Sequence, residues 1–188
     1  MRTFQPAEFG PFFEPLVAID RCRSLGEGQP DLAARKSLQQ LTLATAFGDL
    51  QLVDLDMARC CLAGVWLLHD FLDESHVVSQ QIETSTGSFW HGVMHRREGD
   101  FSNAKYWFRR VGRHDVLDEL GPLLVSLAGD SHSKQSDALA PGGTFNPYQF
   151  VDACQAAVRD GDDAFCRQVQ QMEWELLFRY CHRRALGR

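Results

Sequence analysis

The chain has 188 residues, of which 44% are hydrophobic and 23% are charged, as is typical of a globular protein with its own core. It carries 19 Lys and Arg against 25 Asp and Glu, and the resulting charge of −6 argues against non-specific binding to nucleic acid or an anionic membrane. Its 6 cysteines include no C-x-x-C pair, so we expect buried free thiols in a reducing compartment. The sequence shows no secretory leader and no apolar run of membrane length, and we therefore expect a cytoplasmic protein.

The first half of the chain predicts an arm followed by two helical segments. Residues 1–14 contain two prolines, a glycine and several phenylalanines, which indicates an irregular arm whose aromatic rings pack onto the body. Asp31 is a typical N-cap, and we expect it to begin a helix that continues to about Phe47. Residues 60–68 are apolar on every side of a helix, so we predict a buried central helix over 56–72.

The second half predicts several amphipathic helices and one long loop. Thr86-Gly87-Ser88 is typical of a turn and cap before a helix over 89–98. A second short helix over 101–111 ends at Gly112. The remaining predicted elements are a helix that is kinked or split at Gly121-Pro122, a long loop over 129–145, a helix that Asn146 caps and that ends before Gly161, and a long C-terminal helix over 162–185.

These elements together predict an all-α fold. We expect one domain over residues 1–188, built as a compact bundle of about seven to eight helices around the buried central helix and the C-terminal helix. No stretch of the sequence predicts a strand, and no motif identifies a family.

Histidines and carboxylates have a spacing that is compatible with metal binding. His69, Asp73 and His76 follow H-x3-D-x2-H, which places all three on one face if a single helix runs through them. A new helix capped by Asp73 or Ser75 would remove that shared face. A second trio, H-x3-H-x2-E, follows at 91, 95 and 98. The metal ligands that we predict for a divalent ion are His69, Asp73, His76, His91 and His95.

The same region is rich in basic residues within an otherwise acidic chain. Guanidinium groups bind phosphate and carboxylate in bidentate fashion, so the cluster predicts a site for a small anionic molecule. The predicted substrate-binding residues are Arg96, Arg97, Lys105 and Arg109. Ion pairing within the fold, or a solvated basic face, is the alternative role for these residues.

The functional hypothesis combines the two patterns. We expect a small-ligand-binding protein or an enzyme, with a site for an anionic substrate and a divalent metal ion as cofactor. The predicted catalytic residues are His69, Asp73 and His91, acting as acid, base or metal-holding groups. The alternative hypothesis is a non-catalytic helical interaction or scaffold protein whose polar centre is structural.

Overall fold

The structure, a computed structural model, describes residues 3–128 and 132–188. Within these ranges the chain contains only helices and loops, so the all-α prediction is confirmed. The α-helices are α1 (Phe13–Val17), α2 (Arg35–Leu38), α3 (Leu43–Phe47), α4 (Leu55–Leu68), α5 (Leu72–Ser79), α6 (Ser85–Glu98), α7 (Phe101–Val111), α8 (Asp115–Ala128), α9 (Ser133–Leu139), α10 (Pro147–Asp160) and α11 (Ala164–Ala185). The buried apolar side chains of the described residues form one continuous cluster.

The apolar helix α4 is the centre of the bundle, as its sequence predicts. Asp54 is its N-cap and accepts hydrogen bonds from the backbone N–H groups of residues 56 and 57. The helix packs against α5, α6 and α11. Gly64 allows close approach, because a Cβ atom there would lie 2.7 Å from Cη2 of Trp90 on α6. The indole N–H of Trp174 on α11 donates to the Gly64 carbonyl at 2.9 Å, so two tryptophans hold three helices together.

The central helix is shorter than the sequence predicts. It ends at Leu68, and Asp70 follows with a φ of 62°, a left-handed value that no other non-glycine residue of the described ranges has. A separate helix, α5, then begins at Leu72. Because the backbone turns between 68 and 72, no single helix runs through residues 69, 73 and 76, and the condition for their shared helical face is not met.

Helix α6 begins earlier than the sequence predicts. Its N-cap is Thr84, whose side chain accepts from the backbone N–H of Gly87 at 3.0 Å. Gly87 lies in the first turn of α6. Only glycine fits there without a shift, because a Cβ atom would lie 2.2 Å from the carbonyl oxygen of Ile82. The glycine that indicates a turn in the sequence therefore marks a close approach inside a helix. The end of α6 at Glu98 and the bounds of α7 are confirmed.

The predicted long loop over 129–145 is largely helical. Residues 129–131 lie outside the described ranges, but α9 covers residues 133–139 and a short 3-10 helix covers Pro141–Gly143. Leu139 is buried, and its carbonyl accepts the backbone N–H of Asn146 at 2.8 Å. The helix has no apolar period of its own, so its packing against α8 and α10 determines its conformation.

Other predicted helices differ from the observed ones mainly in whether the helix is continuous or interrupted. The segment 31–47 forms two short helices, α2 and α3, whereas the segment across Gly121-Pro122 forms one continuous helix, α8. The N-terminal arm packs its phenylalanines into the core as predicted, although a 3-10 helix, Pro6–Phe9, and α1 make part of it regular. In the part of the chain that the structure describes, no helix combines the length and apolarity needed to cross a membrane.

Candidate metal centre

Three histidines converge where α5, α6 and α7 pack together. His76 lies on α5, and His91 and His95 lie one turn apart on α6. One nitrogen from each ring lies within 4.8 Å of those of the other two. The ring centroids are 4.6 Å apart for His76 and His91, 4.7 Å for His91 and His95, and 5.4 Å for His76 and His95. We call this group the three-histidine cluster.

His91 and His95 are buried because α7 folds back over α6, and His76 is half-buried. Gly99 ends α6 with a φ of 86°, and the side chain of Asp100 caps α7 by accepting the backbone N–H of Asn103 at 3.0 Å. This tight connection stacks the Trp107 ring on the imidazole of His91, with centroids 3.9 Å apart and planes 13° apart. As a result His91 and His95 are 2% and 6% exposed. They are not the exposed histidines that a polar helix face alone would predict.

His91 has an unused nitrogen in the interior. Its Nδ1 atom is buried and has no hydrogen-bond partner. Burial, together with the like charges of the neighbouring His95 and His76 rings, lowers the pKa of His91 to about 3. The ring is therefore neutral at physiological pH. A neutral imidazole nitrogen with no other partner is the state in which histidine binds metal ions.

His95 is oriented by two polar neighbours. Its Nδ1 atom lies 2.6 Å from Oε1 of Glu98, and its Nε2 atom lies 3.0 Å from the side-chain nitrogen of Asn103. If Nδ1 carries the proton and donates it to Glu98, Nε2 keeps a lone pair that can accept from the amide or bind a metal ion. A carboxylate behind a ligating histidine is the usual second contact in histidine metal sites. Asp100 also offers a carboxylate oxygen within 4.8 Å of His95 and Glu98.

The size of the cluster fits a small ion after modest movement. Nitrogen ligands about 2.05 Å from a tetrahedral zinc ion are separated by roughly 3.3 Å. The cluster nitrogens lie within 4.8 Å of one another, so side-chain rotations that move them together by no more than about 1.5 Å would complete the geometry. Imidazole ligands suit zinc, copper, nickel and iron better than magnesium or calcium.

Two predicted ligands lie elsewhere. His69 is buried, with Nδ1 3.0 Å from Oδ2 of Asp31 and Nε2 2.9 Å from the carbonyl oxygen of Leu16. Both ring nitrogens therefore form hydrogen bonds that connect the end of α4 to α1 and to the loop after it. Asp73 is exposed on the first turn of α5. The structure brings His76, His91 and His95 together from the predicted ligand set, and it does not bring His69 to them.

The basic residues of the predicted substrate set are mostly engaged within the fold. Arg96 forms two hydrogen bonds with Glu173 of α11, and both side chains are fully buried. Arg97 contacts Asp70 at 2.7 Å and donates to backbone carbonyls of the 22–31 loop. Lys105 pairs with Asp152 of α10. The described contacts therefore match the internal-pairing alternative for three of the four residues.

Arg109 is the fourth residue of that set and the least constrained. Its side chain is exposed, and its guanidinium carbon lies 5.9 Å from the centroid of the Tyr106 ring on the same helix. It has no carboxylate partner within 4.0 Å in the described ranges. Arg109 therefore contributes a solvated positive charge on the outer face of α7.

The cavity next to the cluster is acidic. A groove of about 550 Å³ lies between the 27–30 loop and the start of α5. Its charged lining residues are Glu27, Arg35, Asp70, Asp73, Glu74 and Glu98. Glu98 also contacts His95, so this groove borders the three-histidine cluster. Asp70 pairs with Arg23 and Arg97, and Glu74 pairs with Arg35, which leaves Glu27, Asp73 and Glu98 without an arginine partner among the described residues. These three carboxylates favour a cation over the small anion that the sequence predicts.

Two residues that contact the cluster, Asn103 and Trp107, carry no sequence pattern that predicts a site role. Trp107 belongs to the apolar face of α7, and Asn103 has no periodic signal of its own. Their i, i+4 spacing places both on the side of α7 that faces α6, which is the one sequence feature that connects them.

Comparison with known protein families, with curated proteins and with solved structures found no match to this chain.

Proposed function

We propose that this protein binds a divalent transition-metal ion, with zinc as the leading candidate, through His76, His91 and His95. Two observations carry the proposal: the nitrogens of three imidazoles converge, and one of these rings, His91, has a buried Nδ1 atom without a hydrogen-bond partner in the described ranges. Leaving a polar atom buried and unpaired costs about 1–3 kcal/mol, and a bound ion would remove that cost.

The donor set supports a site with an open coordination position. Three histidines are a common protein ligand set of catalytic zinc centres, in which water or substrate completes the coordination. In such a site the metal acts as a Lewis acid and lowers the pKa of bound water, so metal-assisted hydrolysis or hydration is the reaction class we propose. Glu98 would orient His95, and Trp107 would shield one face of His91 from solvent.

The acidic groove modifies the substrate that we expect. In this proposal a substrate reaches the metal through the groove that Glu98 borders, and the carboxylates there favour a neutral or cationic molecule. The proposal therefore keeps the metal-assisted site that the sequence predicts and assigns it a different substrate charge.

A second candidate function is the helical interaction or scaffold protein. One observation favours it: both ring nitrogens of His95 already have hydrogen-bond partners, Glu98 and Asn103. Under this hypothesis the cluster only holds α5, α6 and α7 together. The two candidates differ in whether the purified protein contains stoichiometric metal.

The test is metal analysis of protein purified without a histidine tag, followed by zinc titration of the metal-free protein. We expect one zinc ion per chain and a higher unfolding temperature, because a ligand at 100 times its Kd stabilises the folded state by about 2.7 kcal/mol. His91→Ala and His76→Ala should abolish both effects. His132→Ala is the matched control, since His132 stacks on Phe165 and is not part of the cluster. Zinc stabilisation that survives in His91→Ala, or no metal uptake by the wild type, would refute the proposal.

A further inference from the structure

Arginines at the end of α11 line a separate cavity. It has a volume of about 260 Å³ and lies between α11 and Glu119 of α8, with Leu176 and Tyr180 in its wall. Its basic lining residues are Arg179, Arg183, Arg184 and Arg188. We propose that this C-terminal arginine cavity binds a small anion that carries a phosphate group.

The charge balance of the cavity differs from that of the rest of the molecule. Seven arginines elsewhere form close ion pairs with carboxylates, namely Arg21, Arg23, Arg35, Arg59, Arg96, Arg97 and Arg159, whereas Arg109 is solvated on the outer face of α7 and does not line this cavity. In contrast, no carboxylate of the described residues lies within 4.0 Å of Arg183 or Arg188, and Arg184 reaches Asp115 only at 3.9 Å. Glu119 is the single acidic side chain in the lining. In a chain with a net charge of −6, Arg183 and Arg188 thus bring positive side chains without a close acidic side chain among the described residues to one concave place.

The backbone that carries these arginines is fixed. The backbone N–H of Arg188 donates to the carbonyl of Arg183 at 2.8 Å, so the chain after α11 folds back onto the helix. The N–H of Val53 donates to the carbonyl of Ala185 at 2.8 Å, which ties the same turn to the segment before α4. The guanidinium carbon of Arg184 lies 5.4 Å from the centroid of the Tyr180 ring. Positions that are fixed in advance reduce the entropy that a ligand must remove on binding.

The chemistry of the lining selects a phosphate-bearing ligand. Guanidinium groups form paired hydrogen bonds with phosphate oxygens, and several of them together match a dianion. A volume of about 260 Å³ is below the usual range for drug-sized ligands, roughly 300–1,000 Å³, and therefore suits a phosphate or pyrophosphate group alone. A neighbouring cavity of about 640 Å³ shares Tyr180, Arg184 and Arg188 and is bordered by Val53 and Asp54. The rest of a phosphorylated molecule would occupy this second space.

A purely structural role predicts a different behaviour. Cations in the last turn of a helix stabilise its dipole by about 0.3–1 kcal/mol each, without any ligand. That role needs no convergence of side chains on one cavity, and it gives no saturable binding. Calorimetric titration with pyrophosphate therefore separates the two explanations.

The experiment compares two double variants that each remove two positive charges. Metal-free protein is titrated with pyrophosphate at low ionic strength, so that binding by the three-histidine cluster cannot contribute. We expect saturable binding at one site in the wild type and at least tenfold weaker binding in Arg183→Ala/Arg184→Ala. Arg59→Ala/Arg159→Ala is the matched control, because both arginines are exposed and lie outside the cavity, and it should bind as the wild type does.

Several outcomes would overturn the proposal. Equal weakening in both double variants would show that only net charge matters, and no binding at millimolar pyrophosphate would show that no site exists. An oligonucleotide that binds more tightly per phosphate than pyrophosphate would indicate a nucleic-acid surface instead of a small-ligand site. Arg188→Gln provides a second variant and should also weaken binding, and circular dichroism checks that each variant is folded.

Discussion

Helix α6 separates two polar clusters that differ in how their charges are compensated. On one side, Arg96 and Arg97 face the carboxylates of Glu173 and Asp70, and all four side chains are buried. On the other side, the three-histidine cluster brings three basic rings together with one carboxylate, that of Glu98, in contact with only one ring. Arg96 and Arg97 therefore stabilise the fold through ion pairs on one side of α6. On the other side, His91 has a ring nitrogen without a hydrogen-bond partner among the residues described. Whether each charged or basic group has a counter-charge distinguishes a structural cluster from a candidate site better than burial or residue type does.

The largest expected effect comes from removing one member of a buried pair. Glu173→Gln leaves the Arg96 guanidinium buried without its counter-charge, and we expect the free energy of unfolding to fall by about 3–5 kcal/mol. Urea denaturation measures the change. Arg96→Met/Glu173→Leu should recover most of the loss, because an apolar pair of similar volume needs no compensation.

A surface pair provides the matched control for that experiment. Asp160→Asn removes the partner of Arg159, an exposed pair on α10, and should leave the urea midpoint unchanged. If Glu173→Gln also left the urea midpoint unchanged, the Arg96–Glu173 pair would not stabilise the fold. The contrast between the two sides of α6 would then be refuted.

Another buried histidine, His182, tests whether an unpaired nitrogen alone marks a site. His182 has a buried Nε2 atom without a partner, as His91 has such an Nδ1 atom, but the rings around it are Phe9, Phe13 and Phe47. It is not a member of a histidine or carboxylate group that could hold a metal. We therefore expect His182 to affect stability and not metal binding.

The pH dependence of stability reports on His182. Burial, together with Arg188, lowers the pKa of His182 to about 4, against a backbone hydrogen bond to Phe9 that raises it. Between pH 6.5 and pH 4 the unfolded chain binds a proton that the folded chain does not, so the free energy of unfolding falls as the pH falls. His182→Gln removes this contribution, so its free energy of unfolding should rise by about 3 kcal/mol relative to that of the wild type between pH 7 and pH 4. Parallel stability curves for the two proteins would contradict the assignment, and zinc uptake should be the same in both.

The sequence predicts the elements of this fold better than their contacts. The cap at Asn146 and the all-round apolar pattern of α4 depend on local rules, and the structure confirms both. The break after Leu68 could not be predicted, because it depends on the left-handed conformation of Asp70. Arg97 and Arg23 contact that carboxylate from distant parts of the chain. Local patterns contain no information about such partners.

The candidate site shows the same limit. The spacing of His91 and His95 follows from helix geometry and places both rings on one side of α6. Their partner His76 was one of three candidates on the preceding segment, and only the turn between α4 and α5 determines that it, and not His69, reaches them. The basic residues 96 and 97 could not be recognised as structural either, since their carboxylate partners lie 77 and 27 residues away along the chain.

The carboxylate behind His95 gives a smaller effect that is specific to metal binding. Glu98→Gln keeps all three proposed ligands but removes the negative charge that would orient and polarise His95. Loss of such a contact weakens metal binding by about 10- to 100-fold, and we expect about tenfold here because the carboxylate is partly exposed. Competition with a zinc-sensitive dye measures the affinity. Glu74→Gln, a carboxylate of the same groove that pairs with Arg35, should leave it unchanged. Equal affinities for Glu98→Gln and the wild type would remove Glu98 from the proposed centre.

The smallest expected effect concerns the stability of the metal-free protein. His91→Phe keeps a ring stacked on Trp107 but removes the unpaired Nδ1 atom and one of three neighbouring basic groups. If the cluster serves only the fold, this change should destabilise the protein, because selection would have optimised those contacts. If it serves a metal, the metal-free wild type carries the uncompensated nitrogen, and His91→Phe should be more stable by about 1 kcal/mol. With zinc added, the wild type should then be more stable than His91→Phe, since only the wild type can bind the ion. Urea unfolding with and without zinc measures both differences, and a variant that is less stable in both conditions would favour the structural role.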